Sequence, residues 1–303
     1  MASLIKAVYT LAPVEKVSNF ELKETLKDEK DSSIYGALYE YKGESHPNNP
    51  PLYVIAFRGT KFIGKTWVED IKLDAKCIAN TPQNSSRFKH AMNYVREMVR
   101  ARGANVWLAG HSLGAAIALH AGKQMFREGR PLVTYLFNPP FCSDFVARFI
   151  SDERKSLVWY FAKSVIKEVL SHFGKESRRR AAEAYKDFVA LSNWVPFLFV
   201  NPDDPVCSEY IHYFENRQTM LKIRLEELAI KASSMTMRMA IGIDSSSEAI
   251  HFIPSAILIT NNKVGSHQGN SDDNKKKIGH ELQQRLNPDS YCQTKDYRYS
   301  TTN

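Results

Sequence analysis

Cysteine is scarce, four in 303 residues, and Cys77, Cys142, Cys207 and Cys292 lie far apart with no Cys-x-x-Cys pair and no Cys/His spacing. That excludes a small disulfide scaffold and gives no reason to expect a metal centre; reduced thiols in a cytoplasmic protein are the expectation. Long apolar runs are also missing: nothing approaches the roughly 18 residues that a membrane span needs. The opening stretch, Met1 to Tyr9, carries Lys6 inside its apolar part with no basic region ahead of it, unlike a secretory signal. Concentrated charge is lacking too. The net charge is +8, but only Arg178-Arg179-Arg180 and Lys275-Lys276-Lys277 form short basic runs, so a clustered nucleic-acid surface is not expected. A basic surplus of this size is compatible with peripheral contact to an anionic membrane.

What is present is ordinary globular material, 43% hydrophobic and 24% charged, with no internal repeat. We read residues 1–303 as a single α/β domain. The first thirty residues read as helical, closed by the charge-rich stretch Glu21 to Asp31. Ser33 to Tyr41 and Leu52 to Phe57 are β-branched and aromatic around a turn-rich linker, which predicts a hairpin. Phe88, Met92, Val95, Met98 and Val99 have helical spacing within residues 85 to 101. After them come short apolar strands, Asn105 to Ala109, Leu132 to Phe137, Val195 to Val200 and Ser255 to Thr260. Strands of this kind alternating with helices predict a mostly parallel, twisted sheet with helices on both faces. Residues 150–193 and 219–241 interrupt the alternation and read as helical insertions. The polar stretch Asn261 to Lys277 reads as a mobile loop.

The chemistry is carried by Gly110-His111-Ser112-Leu113-Gly114, placed between an apolar strand and the Ala-rich Ala115 to Ala121. Strand, sharp turn and helix together make a nucleophile elbow: the serine projects at the helix N-terminus, and the Leu113 N–H points where an oxyanion would develop. A serine hydroxyl needs a histidine base, and the histidine needs an acid to hold its tautomer. In this architecture the acid follows a later strand and the base comes last. Asp203 and Asp204, just after Val195 to Val200, both qualify as the acid. Among the later histidines His212 follows too closely and His251 precedes the last apolar strand, which leaves His267 and His280.

With these residues in view, the chain resembles the class 3, fungal-lipase-like branch of the α/β-hydrolases, and within it a plant subgroup of lipase-like proteins. The likeness rests on Phe57-Arg58-Gly59-Thr60, on Trp67-Val68-Glu69-Asp70-Ile71, on the elbow and on Asp204-Pro205-Val206. Asn138-Pro139-Pro140 and Cys207-Ser208-Glu209-Tyr210 are similar to the plant subgroup as well. The resemblance implies Ser112 as nucleophile, Asp204 as acid and His280 as base, with Thr60 and Leu113 forming the oxyanion hole and residues 61 to 69 a short lid. His280, Gln284 and Pro288-Asp289 match the subgroup's ending, whereas Arg285 and Leu286 stand where it has paired tryptophans. The activity implied is hydrolysis of acyl-lipid esters without cofactor or metal. The alternative is a lipase-like scaffold that acts by binding a ligand or a protein.

Overall fold

The computed structural model describes residues 1–10, 16–29, 31–44, 51–59, 68, 71, 86–103, 105–141, 175–222, 252–261, 272–283 and 292–300. After helix α1 (Ala2–Tyr9) the chain lays down four strands, β1 (Lys16–Val17), β2 (Phe20–Lys27), β3 (Ile34–Tyr41) and β4 (Tyr53–Phe57). Helix α2 (Ser86–Arg102), strand β5 (Val106–His111), helix α3 (Leu113–Arg127) and strand β6 (Thr134–Phe137) follow. The remainder comprises α4 (Lys175–Ala190), β7 (Phe197–Val200), α5 (Glu209–Lys222), β8 (Ala256–Asn261), α6 (Asp272–His280) and β9 (Cys292–Tyr297).

Among the described residues, nine strands form one sheet whose order is the chain order. β4 to β8 run parallel, while β1 to β3 and β9 are antiparallel additions at the two edges. The fold is that of an α/β-hydrolase, with a parallel centre five strands wide. Each parallel crossover advances one place in the same direction, so α2 and α3 fall on one face and pack together.

Alternation along β4 divides the core. Ile55 and Phe57 face α2 and α3 in a cluster with Val95, Leu108, Ile117 and Leu136. Val54 and Ala56 face the other way, against Leu4, Ile5 and Val8 of α1. Farther along that second face, aromatic rings stack across strands, Tyr135 on Phe197 at 4.7 Å and Phe137 on Phe199 at 4.3 Å. With both faces buried, the central strands read as continuous apolar runs, as their sequences predict.

Two stretches differ from the sequence reading, and a third is a strand that the sequence does not signal. Residues 20–27 are strand rather than the close of a helix. A register shift between Leu22 and Glu24 turns Leu22 toward the α1 face and Leu26 toward the opposite core, which hides the period-two pattern. Residues 272–277 belong to α6 rather than a loop, with the basic residues Lys277 and His280 in the last turn, the end of a helix dipole that suits them. β9 has no apolar alternation and is mostly exposed; pairing with β8 makes it a strand.

Within the stretches read as insertions, residues 175–190 are helical, and residues 219–222 are the end of α5. Residues 150–174 and 223–241 lie outside the described residues. No helix among the described residues is long and apolar enough to cross a membrane.

Candidate active site

Ser112 occupies the turn between β5 and α3 with φ 55° and ψ −126°, a conformation that non-glycine residues rarely adopt. The turn is held from both sides: Ser112 N–H donates to Phe137 O at 2.9 Å, continuing the β5–β6 ladder, and Ser112 O accepts from Ala115 N–H at 2.8 Å to begin the helix. Strain of this sort persists only where the surroundings over-determine it. The elbow glycines permit the approach. A methyl on Gly114 would lie 2.5 Å from Phe57 O, and one on Gly110 would collide with Gly114. α3 therefore starts directly against the end of β4.

Gly59, just past β4, is equally close to the serine: a methyl there would meet Ser112 Cβ at 2.8 Å and Tyr9 Oη at 3.0 Å. Neighbouring Arg58 is anchored, its N–H to Tyr35 O at 2.9 Å and its Nε to Ile34 O. Thr60 lies outside the described residues. Leu113 is the first residue of α3, one of the helical positions whose N–H has no partner within the helix.

The acid candidates separate by burial. Asn201 begins the turn after β7 with its Oδ1 accepting from Asp203 N–H at 2.9 Å, which leaves Asp203 half-buried, while Asp204 is fully buried. Asp204 Oδ1 accepts from Val206 N–H at 2.9 Å. Its Oδ2 accepts from His280 Nδ1–H at 2.7 Å and from the Cys207 thiol at 3.0 Å. His280, the last residue of α6, has a side chain only 1% exposed. A buried carboxylate that orients an imidazole through Nδ1 leaves Nε2 as the nitrogen for proton transfer. Ser112 is itself fully buried, and its Oγ makes no hydrogen bond among the described residues.

The structure therefore brings Asp204 to His280 and His280 to the elbow, since the His280 backbone carbonyl accepts from His111 Nε2–H at 2.8 Å. It does not close a Ser112–His280 hydrogen bond. Such bonds are often long in the absence of substrate. His267 and the segment 61–67 lie outside the described residues. Of Trp67 to Ile71 only Val68 and Ile71 are described, and they pack with Val206 beside the acid.

Two further side chains reach the site with no signal in the sequence that marks a role. Tyr9, at the end of α1, accepts from Gly59 N–H at 2.7 Å and meets His111 Nδ1 at 2.8 Å. Its phenol is pushed far above the ordinary range by burial, against smaller opposing effects of the Gly59 hydrogen bond and the nearby Arg58 charge, so it stays protonated. Asn138 follows β6 at φ 47° and donates to Gly279 O at 3.0 Å and His280 O at 3.1 Å. The hints for it are its place at the end of the strand next to the elbow strand and the likeness of Asn138-Pro139-Pro140 to the plant subgroup, neither of which names a role.

Residues 2–138 match the phospholipase-like family described as the Tle-like phospholipase domain. Two solved esterase structures are similar over most of their length. One, from Rhizomucor miehei, has 13% identity, covering 94% of this chain and 88% of that one with a TM-score of 0.34. The other, from Pyrobaculum calidifontis, has 13% identity, covering 94% and 89% with a TM-score of 0.37. A GDSL esterase/lipase of Arabidopsis thaliana is 35% identical over 308 aligned positions, covering 95% of this chain and 84% of that protein. With that identity extending over 95% of its length, the chain belongs to the esterase/lipase family of the Arabidopsis protein.

Proposed function

We propose that the protein is a serine ester hydrolase acting on acyl lipids through an acyl-enzyme. In this reading His280 Nε2 takes the Ser112 hydroxyl proton as Oγ attacks the ester carbonyl carbon. The backbone N–H groups of Leu113 and Thr60 stabilise the tetrahedral oxyanion, and collapse passes the proton from His280 to the departing alcohol. Water, activated by the same histidine, then attacks the acyl-enzyme and releases the acid. Asp204 keeps the His280 proton on Nδ1 and balances the imidazolium. The resemblance to class 3 lipases supports Thr60 and the lid role of residues 61–69. An ester or lipid substrate is supported by the esterase/lipase name of the Arabidopsis relative and by the phospholipase family match.

The observation that carries this reading is the 2.7 Å His280–Asp204 hydrogen bond, buried at both ends and tied to the residue before a strained Ser112. One observation favours a second reading, a lipase-like scaffold that binds without turnover: Ser112 is fully buried and its Oγ is unbonded among the described residues. Fluorophosphonate labelling separates the two, because it requires an activated serine. The expected outcome is labelling of the wild type, none of Ser112→Ala and almost none of His280→Ala, with hydrolysis of p-nitrophenyl esters following the same order. A folded wild type that resists the probe sinks the hydrolase and leaves the scaffold.

A further inference from the structure

We propose that Tyr9, His111 and Asn138 are positioning residues, which together hold the backbone of the base and the start of the oxyanion loop on the ends of β5 and β6. The inference rests on the hydrolase reading of Ser112, Asp204 and His280.

For an uncharged His111 ring, donor and acceptor chemistry allows one arrangement of protons. The His280 carbonyl can only accept, so the proton of His111 is on Nε2, 2.8 Å away. Gly59 N–H can only donate, so it occupies a lone pair of the Tyr9 oxygen at 2.7 Å. The phenolic hydrogen is then directed to His111 Nδ1 at 2.8 Å, which accepts as the bare nitrogen of an uncharged ring. An unbroken line runs from Gly59 N–H through Tyr9 and His111 to the backbone of His280. Asn138 Nδ2–H adds a second donor to the His280 carbonyl at 3.1 Å, satisfying both lone pairs, and spans to Gly279 O at 3.0 Å. His111 and Asn138 are each 2% exposed and the His280 side chain 1%, so water does not substitute freely for these bonds.

The mechanical consequence follows. His280 is gripped at two points, at Nδ1 by Asp204 and at its carbonyl by His111 and Asn138, which removes the tilt that would swing Nε2 away from Ser112. The same line pins Gly59, whose Cα lies against Ser112 and whose neighbour Thr60 is the proposed oxyanion donor. A misplacement of about 1 Å costs about a hundredfold in rate. None of the three side chains has a role in bond making. The effect is exerted through His280 and Gly59, and it makes α1 part of the catalytic apparatus.

The test is Tyr9→Phe, which keeps the ring and its place beneath the Arg58 guanidinium and deletes one hydroxyl. With active sites counted by fluorophosphonate titration, kcat on a p-nitrophenyl ester is expected to fall about ten- to a hundredfold with KM within about twofold, and the labelling rate to fall in parallel. A role confined to stability would lower Tm and leave kcat per titrated site unchanged, and that result overturns the proposal. Should Tyr9→Phe fail to fold, Asn138→Gly, which tolerates the positive φ, is read in the same way: a fall in kcat supports the proposal and an unchanged kcat overturns it. Independently of turnover, the ¹⁵N histidine spectrum of the wild type, with His111 assigned by its loss in His111→Gln, is expected to show the Nε2–H tautomer. The Nδ1–H tautomer overturns the proposal. A wild type that is not labelled at all sinks the hydrolase reading and this inference together, whereas a labelled wild type with an unimpaired Tyr9→Phe sinks this inference alone.

Discussion

Four non-glycine residues take a positive φ among the described residues, and they divide by place. Ser18 (53°) and Ser32 (56°) are exposed in turns of the antiparallel wing, while Ser112 (55°) and Asn138 (47°) are buried where adjacent parallel strands end. The angles are nearly equal and the reasons are not. In the wing, a tight reversal requires a left-handed residue, and a small polar side chain that tolerates the conformation suffices. At the strand ends the conformation is locked by ladder bonds, Ser112 N–H to Phe137 O and Asn138 N–H to Phe199 O, and by α3 starting against β4. The charged groups divide the same way. Lys23 and Lys42 share the Glu40 carboxylate at the surface, whereas His280 and Asp204 pair in the interior. Strain and buried polarity at the ends of β5 to β7 are bound up with a specific arrangement; in the wing they serve a turn and a solvated face.

Substitutions that treat the two regions alike should expose this difference. The largest effect belongs to Asp204→Asn, which keeps shape but offers His280 an amide: kcat on a p-nitrophenyl ester is expected to fall about 10³- to 10⁴-fold with the fold intact by circular dichroism. A loss below tenfold would mean that the buried pair is structural. Next, Gly114→Ala pushes a methyl into Phe57 O and should lower stability by about 3 kcal/mol or more in urea unfolding.

The wing should respond weakly. Lys42 first, then Lys23, holds the Glu40 carboxyl at about 2, below its ordinary 4.5. A depressed folded pKa means that the stabilisation is present above pH 4.5 and is lost as pH falls through about 2. Because both lysines are well exposed, the loss should be only about 0.5–1 kcal/mol, absent in Glu40→Gln and flattened by high salt. Smallest of all, Ser18→Gly should leave the unfolding free energy in urea unchanged to within about 0.5 kcal/mol, since the turn already sits at a glycine-like angle. A large destabilisation there would break the contrast from the other side.

The parts legible in the sequence are those in which one short segment carries its own reason. The elbow is readable because strand, Gly-x-Ser-x-Gly and helix are contiguous. β4 to β8 are readable because burial on both faces leaves unbroken apolar runs. β2 is not, because the register shift after Leu22 sends its leucines to opposite cores. Nor is β9, whose exposed residues are strand only by virtue of β8 beside them. Position narrows the acid to Asp203 or Asp204, and the resemblance favours Asp204. In the fold, the fully buried Asp204 is the one bonded to His280.

Tyr9 marks the limit of such reading. It meets His111 across 102 residues and Gly59 across 50, in a segment whose sequence announces only a short apolar helix. Local sequence determined which residues could do chemistry here, because side-chain type, strand period and turn geometry act over a few residues. Tertiary structure alone decided which of them meet, because hydrogen bonds of under 3 Å between distant segments exist only once the sheet has brought the strand ends, α1 and α6 to one place.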